Sequence, residues 1–312
     1  MILKSLKNSH SYLIILFLLF SILFFIPSFF TLQFQSIENQ FPFYSILLLL
    51  ISATLTFFHS IGLNNLIYDK DIIKKPNFVL AFVFLLLNTT FVINHKMMLI
   101  SFVLLFFLNY LLKLYKQKQP FALVFNAGIL LSILSLYIPN ILLLFPIIFI
   151  SSLIFRNMDW RVITISILSL FTPYFFLWSY QIFTQTELYF PIFEFDFKLF
   201  NFNIEELELN QKIWFSVLLL VSLLSFFELF RWIYKKSIKS RESFTIIILY
   251  FIFSMFIFLF SEKEESVILI VTPLSIIISN YFVYHKKIRL SEFIFFLFLF
   301  SSIFYRITMI NM

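Results

Sequence analysis

Two Thr-Pro dipeptides, Thr172-Pro173 and Thr272-Pro273, lie inside long apolar segments. A proline within a helix removes one backbone hydrogen bond, so the carbonyl four residues earlier needs a donor from a threonine hydroxyl or a neighbouring helix. Ser275 and Ser279 follow at spacings that place their hydroxyls on the same helix face as Thr272. The pattern predicts two kinked helices that frame an outward-open ligand cavity, and ordinary proline kinks without a ligand are the alternative.

The acidic run Glu262-Lys263-Glu264-Glu265 lies between two apolar segments. Because carboxylates attract cations, the run could bind a cation or a sugar amine on the outer face, and a solvated turn is the alternative interpretation. The predicted lining of the outward cavity is therefore Thr172, Pro173, Thr272, Pro273, Ser275, Ser279, Glu262 and Glu265.

Glu228 and Arg231 lie three residues apart near the end of an apolar segment, in the stretch FFELFRWIY. Ionisable residues within a membrane span are functional candidates by default. However, this spacing allows the two side chains to form an ion pair on one helix face. We interpret them as a structural pair that anchors the helix at the membrane surface.

The stretch FRNMDWRV contains Arg156, Asp159, Trp160 and Arg161 between two apolar runs. Arginine side chains favour the headgroups of the inner leaflet, and tryptophan rings favour the membrane interface. Asp159 can neutralise one of the arginines. We interpret the stretch as an inner-face turn that anchors two helices, and not as a catalytic site.

The residues that most often hold metals or cofactors are scarce. The chain has no cysteine, and its four histidines are scattered without metal-ligand spacing, at positions His10, His59, His95 and His285. No metal and no cofactor is expected. With 50 phenylalanines beside only two glycines, we expect the helices to pack through aromatic rings and Ser or Thr contacts, and not through close glycine contacts.

The composition indicates the elements that must position these residues. Of the 312 residues, 61% are hydrophobic and 12% are charged, whereas soluble domains contain about 25% charged residues. Apolar runs of roughly 17–25 residues, the length of a membrane crossing, recur throughout. The prediction is one integral membrane domain over residues 1–312, an all-α polytopic bundle of about eleven transmembrane spans. The spans are 11–30, 43–63, 78–93, 97–112, 121–138, 140–155, 162–183, 213–230, 244–260, 267–284 and 291–307.

The distribution of basic residues orients the predicted spans. Splitting 78–112 at residues 94–96 and 121–155 at Pro139-Asn140 places most Lys and Arg on one side, and re-entrant segments are the alternative there. The exceptions are Lys96, Lys198, Lys212, Lys263 and Arg306. By the positive-inside rule, the N-terminus is cytoplasmic, the C-terminus is outside, and the acidic, Phe-rich stretch 184–212 is the largest extracytoplasmic loop. Anionic lipids suffice to explain the net charge of +7, so membrane lipids are expected partners and nucleic acid is not.

Five short motifs occur in a fixed order along the chain. They are Lys113–Lys118, Phe125-Asn126-Ala127-Gly128, Arg156 with Trp160-Arg161, Thr172-Pro173-Tyr174 and Pro273-Leu274-Ser275. Over roughly spans two to ten, this order resembles a family of uncharacterised membrane proteins of flavobacteria and related Bacteroidetes, a domain of unknown function. The resemblance implies a bacterial inner-membrane location and carries no established activity.

Two functions follow from the pattern. The short loops and the lack of embedded catalytic groups favour a non-enzymatic protein, either a permease-like binder or a subunit that contacts other envelope proteins. The alternative is a C-type glycosyltransferase that uses polyprenyl-phosphate sugars, or an envelope-polymer ligase, with an outer carboxylate as the general base. The candidates for that base are Glu38, Glu187 and Glu262–Glu265. The oligomeric state is left open.

Overall fold

The computed structural model describes residues 2–7, 12–29, 42–90, 95–193, 208–261 and 264–308. Within these ranges the regular secondary structure is helical and contains no strand, which confirms the all-α prediction. The helices are α1 (Ile2–Leu6), α2 (Tyr12–Phe29), α3 (Pro42–Asp69), α4 (Val79–Thr90), α5 (His95–Lys113), α6 (Phe121–Ser135), α7 (Pro146–Ile154), α8 (Trp160–Phe183), α9 (Leu209–Ile233), α10 (Ile238–Phe260), α11 (Ile268–Tyr284) and α12 (Ile288–Thr308).

Six of these helices are long and apolar enough to cross a membrane: α3, α5, α8, α9, α10 and α12. Shorter apolar helices occupy the other predicted spans. The helix is interrupted in both stretches for which two crossings were predicted, 78–112 and 121–155. In the first, α4 ends at Thr90 and α5 begins at His95. In the second, α6 ends at Ser135 and a 3-10 turn, Pro139–Leu144, precedes α7. The chain is therefore a multi-pass membrane protein.

Local sequence signals explain where several helices begin. Pro139 and Pro146 stand at the start of the 3-10 turn and of α7, where the missing N–H of proline is not needed. The Asp159 carboxylate accepts a 2.7 Å hydrogen bond from the Trp160 N–H at the start of α8. At the start of α9, the Gln211 side-chain oxygen accepts one from the Glu208 N–H at 3.2 Å.

Helix α11 forms the centre of the bundle. Every residue from Ile268 to Val283 is buried, and α4, α5, α9 and α10 pack around it. A helix that is apolar on all sides must be enclosed by other helices. Aromatic contacts contribute to the surrounding core, as predicted: the Phe295 ring lies 5.3 Å from the Phe282 ring and 5.7 Å from the Phe82 ring.

The expectation that glycine would not build a helix interface is wrong for α6 and α8. A Cβ at Gly128 would lie 1.8 Å from Ser169 Oγ, so the two helices touch at this glycine. The Ser132 hydroxyl on α6 donates to the Leu170 carbonyl at 2.5 Å, within the turn that Pro173 weakens. Gly128 and Ser132 thus act as a small-residue pair one turn apart.

The close approach at Gly128 predicts a position-specific effect of an added methyl group. Gly128→Ala should lower the thermal unfolding temperature in detergent, because overpacking costs about 1–3 kcal/mol. Gly62→Ala is the matched control, since its Cβ would meet only the flexible end of Leu105 at 3.3 Å. Adding Ser169→Gly to Gly128→Ala should recover part of the loss. Equal unfolding temperatures for the two single variants would contradict the α6–α8 contact.

Candidate functional site

The two Thr-Pro dipeptides lie on helices that are not neighbours. Thr172 and Pro173 are half-buried on α8, which packs on α6. Thr272 and Pro273 are buried on α11, inside the ring formed by α4, α5, α9 and α10. Within the described ranges, α8 and α11 have no extensive contact. The structure therefore does not bring the two kinks together.

The hydroxyls predicted to line the outward cavity bind within the protein. Ser275 Oγ donates to the Thr272 carbonyl at 2.8 Å and Ser279 Oγ to the Ile276 carbonyl at 2.9 Å. Thr272 Oγ1 lies 3.4 Å from His59 Nε2. Glu262 and the side chain of Glu265 lie outside the described part of the chain, as does Glu38. The outward cavity remains a prediction.

The stretch FRNMDWRV forms the predicted turn, because α7 ends at Ile154 and α8 begins at Trp160. Arg156 adopts a left-handed backbone conformation with φ of 59°. The Arg161 guanidinium lies 5.7 Å from the centre of the Trp160 ring. Asp159 forms no ion pair among the described residues and instead caps α8 through its bond to the Trp160 N–H. Its predicted neutralising role is therefore replaced by a capping role.

Glu228 has a different neighbour from the one its spacing predicted. Its carboxylate lies 3.9 Å from Nδ1 of His285, just beyond the end of α11. Arg231 is exposed and has no ion pair in the described residues. The predicted pair is wrong because α9 packs on α11, which turns Glu228 towards His285 and leaves Arg231 on the outer side of the helix.

A pocket of about 250 Å³ opens beside Glu228, where the turn after α3 and the turn between α9 and α10 meet the end of α11. We call it the basic pocket. Its charged, aromatic and amide lining consists of Lys74, Glu228, Trp232, Lys235, Lys236, Asn280 and Tyr284. Among the described residues, three lysines and one glutamate therefore contribute to the lining.

Lys236 is the most enclosed of these lysines. Its ammonium donates to Asn280 Oδ1 at 2.7 Å and lies 4.2 Å from the Phe244 ring centre and 4.7 Å from that of Tyr284. No carboxylate of the described residues lies within ion-pair distance. Burial, helped by the charge of Lys74, lowers the pKa of Lys236 to about 7. An ammonium has three donors, so two remain for a ligand.

Contacts between distant segments hold the walls of the basic pocket. The Lys74 N–H donates to the Tyr284 hydroxyl at 3.0 Å, and the Ser240 hydroxyl donates to the Ile72 carbonyl at 3.1 Å. Lys239 Nζ pairs with Asp71 at 2.8 Å, which lowers the pKa of that carboxyl through the hydrogen bond and the charge. These contacts fix the turn after α3 against α10 and α11.

Trp232 completes the lining as a cation–π partner. Lys235 Nζ lies 5.0 Å and Lys286 Nζ lies 5.4 Å from its ring centre. Ammonium groups over an indole face are stabilised by the negative charge of the ring face. The indole thus holds Lys235 at the basic pocket without neutralising it.

Sequence analysis missed the basic pocket, because it explained the positive charge as a whole by anionic lipids and assigned no common site to Lys74, Lys235 and Lys236. The contacts that build the pocket join distant positions: Lys236 and Asn280 are 44 residues apart along the chain, and Lys74 and Tyr284 are 210 residues apart. The one local signal was Asn280, an amide in the otherwise apolar end of α11.

The comparisons with known proteins extend this description only at the level of the family. A model of a protein family described as "Family of unknown function (DUF6427)" matches residues 1–312. No curated protein and no solved structure matches the chain.

The lowered pKa of Lys236 predicts its reactivity. Competitive labelling of amines with a trace reagent, read by mass spectrometry, should show the Lys236 rate rising to a plateau with a midpoint near pH 7. Asn280→Leu should move that midpoint lower, because the amide oxygen stabilises the charged form. A midpoint near the ordinary value of 10.5 would contradict the enclosure of Lys236.

Proposed function

Because the chain belongs over its whole length to DUF6427, a family of unknown function, we propose its function from the basic pocket: a non-enzymatic membrane protein that binds a small phosphate-bearing ligand there. The observation that carries this proposal is the Lys236 ammonium. It is largely enclosed, has one amide partner and lacks a carboxylate partner in the described residues.

The energetics favour an anion at this position. Enclosing an ammonium without a counter-ion costs free energy, and the cost is offset when an anion pairs with it. Lys74 and Lys235 add charge of the same sign. Helix α10 begins at Ile238, directly after the pocket residue Ser237, whose side chain does not cap the helix. A helix start with free N–H groups also attracts phosphate.

We propose that the chain crosses the inner membrane of a bacterium of the Bacteroidetes about eleven times, with the N-terminus in the cytoplasm and the C-terminus outside. Contacts between predicted cytoplasmic segments support this arrangement. They are Phe78 N to Leu6 O at 2.8 Å, Lys74 N to the Tyr284 hydroxyl at 3.0 Å, Lys239 Nζ to Asp71 Oδ2 at 2.8 Å, and Asn157 Nδ2 to Leu114 O at 2.8 Å.

Residues towards the predicted outer side also contact one another: Asn210 Nδ2 donates to Thr308 Oγ1 at 2.8 Å, and Arg306 Nε, at the end of the last predicted span, donates to the Phe24 carbonyl in the first span at 3.2 Å. The proposed topology therefore places the basic pocket at the cytoplasmic surface. Lipid phosphates lie at that level of the membrane. Membrane lipids are thus the proposed partners, and other envelope proteins are a second class of partner that no contact specifies.

Replacing the enclosed ammonium tests the function. Lys236→Met should lower binding of phosphatidylglycerol to the purified protein about tenfold or more, since a charge-assisted hydrogen bond contributes about 1.5–3 kcal/mol. Lys118→Met is the control, because Lys118 is exposed on another predicted cytoplasmic turn. Native mass spectrometry of lipid-bound protein gives the affinities. If both variants retain the lipid equally, the proposed function is wrong.

The pH dependence of binding follows from the same group. Lys236 must be protonated to bind an anion, so the affinity is full below its free pKa of about 7 and falls as the pH rises. The decline should be about tenfold per pH unit, until the raised pKa of the bound state is reached. Glu228, His285, Lys74 and Lys235 also face this region. For Lys236→Arg, the affinity for the same lipid should therefore change less between pH 7 and pH 9 than it does for the wild type. If the affinity of Lys236→Arg falls as steeply as that of the wild type, another group is responsible for the pH dependence.

A further inference from the structure

Among the described residues, Glu228 is the one carboxylate that lines the basic pocket. Its side chain is 13% exposed, and in the described part of the chain no hydrogen-bond donor reaches it. The nearest cationic candidate, His285 Nδ1, lies at 3.9 Å, beyond hydrogen-bond distance. A largely enclosed carboxylate of this kind favours a cation that can approach from the pocket.

Within the described part of the chain, two side chains near Glu228 also have polar atoms without a hydrogen-bond partner. Both ring nitrogens of His285 are buried without a hydrogen bond, and so is the Tyr281 hydroxyl. Tyr281 is 2% exposed, and its ring lies 4.8 Å from that of His285. Buried polar atoms are normally satisfied by the protein or by bound molecules. A carboxylate accepts hydrogen bonds, and a primary ammonium offers three donors and no acceptor.

We propose that the ligand of the basic pocket is an amino-phosphate, with its phosphate at Lys236 and its primary ammonium at Glu228. This inference rests on the proposed function, because it assumes an anion at Lys236. The chemistry is that of a phosphoethanolamine group, in which two methylenes separate the amine from the phosphate ester. Such a group occurs both as a lipid headgroup and as a free, water-soluble compound.

The size and the charge pattern of the basic pocket support this class of ligand. A volume of about 250 Å³ lies below the roughly 300–1,000 Å³ of sites for drug-sized ligands, and suits a headgroup. A ligand without an amine gives the enclosed Glu228 carboxylate no hydrogen-bond donor. A ligand with an amine pairs its phosphate with Lys236 and its ammonium with Glu228. Glu228 is therefore the specificity-determining residue.

The test measures the preference for ethanolamine over glycerol headgroups. The full-length protein is placed in nanodiscs or detergent, and its binding of phosphatidylethanolamine and phosphatidylglycerol is compared by native mass spectrometry. We expect the wild type to favour the ethanolamine lipid by about tenfold, as for one desolvated charge pair. Glu228→Gln should remove this preference and retain the glycerol lipid. The control, Glu242→Gln, changes a carboxylate outside the pocket and should retain the preference.

The outcomes separate this inference from the proposed function. Loss of both lipids in Lys236→Met, with loss of the preference alone in Glu228→Gln, supports both proposals. A preference that survives in Glu228→Gln, or is missing in the wild type, overturns the amine at Glu228 and leaves anion binding intact. If Lys236→Met binds both lipids normally, the proposed anion binding at Lys236 is wrong, and the amino-phosphate inference that rests on it is wrong too.

The source of the headgroup is distinguished by calorimetry with water-soluble probes. Binding of phosphoethanolamine in preference to inorganic phosphate shows that the free headgroup is recognised. Binding of the ethanolamine lipid without binding of phosphoethanolamine shows that the acyl chains are needed and that the ligand is a lipid. Both results support an amino-phosphate ligand. If the protein prefers neither phosphoethanolamine over inorganic phosphate nor the ethanolamine lipid over the glycerol lipid, the inference is overturned. An unchanged unfolding temperature of Glu228→Gln shows that the variant is folded.

Discussion

Helix α11 is buried from Ile268 to Val283, and the arrangement of the neighbouring helices follows from this burial. A helix that is apolar on every side can be stable only when other helices enclose it, and α4, α5, α9 and α10 do so. Its few polar side chains must then find partners inside the protein. Thr272 approaches His59 on α3, and Asn280 accepts the bond from Lys236. The central helix thus determines where the turns of its neighbours are held.

The end of α11 converts this packing requirement into a site. Tyr284 receives the Lys74 N–H through its hydroxyl and presents its ring to Lys236. Two basic turns that would otherwise repel each other are thereby held around one pocket. Such an arrangement keeps cations close together without neutralising them, and their repulsion decreases when an anion binds. The contacts that stabilise the fold are the same contacts that preorganise the proposed site.

Several features of the fold could be predicted because they depend on local sequence. The apolar runs predicted where helices lie, and Pro139 marked the break before α7. The turn around Asp159 was also predicted, since charged residues between two apolar runs leave the membrane core. The partners of charged side chains could not be predicted in this way. Glu228 has Arg231 at a favourable spacing, yet it faces His285 because α9 packs on α11.

The class of protein, the positions of the helices and the excess of positive charge on one predicted side could all be inferred from the amino-acid sequence. These properties follow from hydrophobicity and charge, which each segment carries independently of its neighbours. The close helix contact at Gly128 and the enclosure of Lys236, while other lysines remain exposed, are visible only in the folded structure. Both depend on how distant segments approach each other, and the desolvation of a charge is a property of its surroundings and not of its position in the chain.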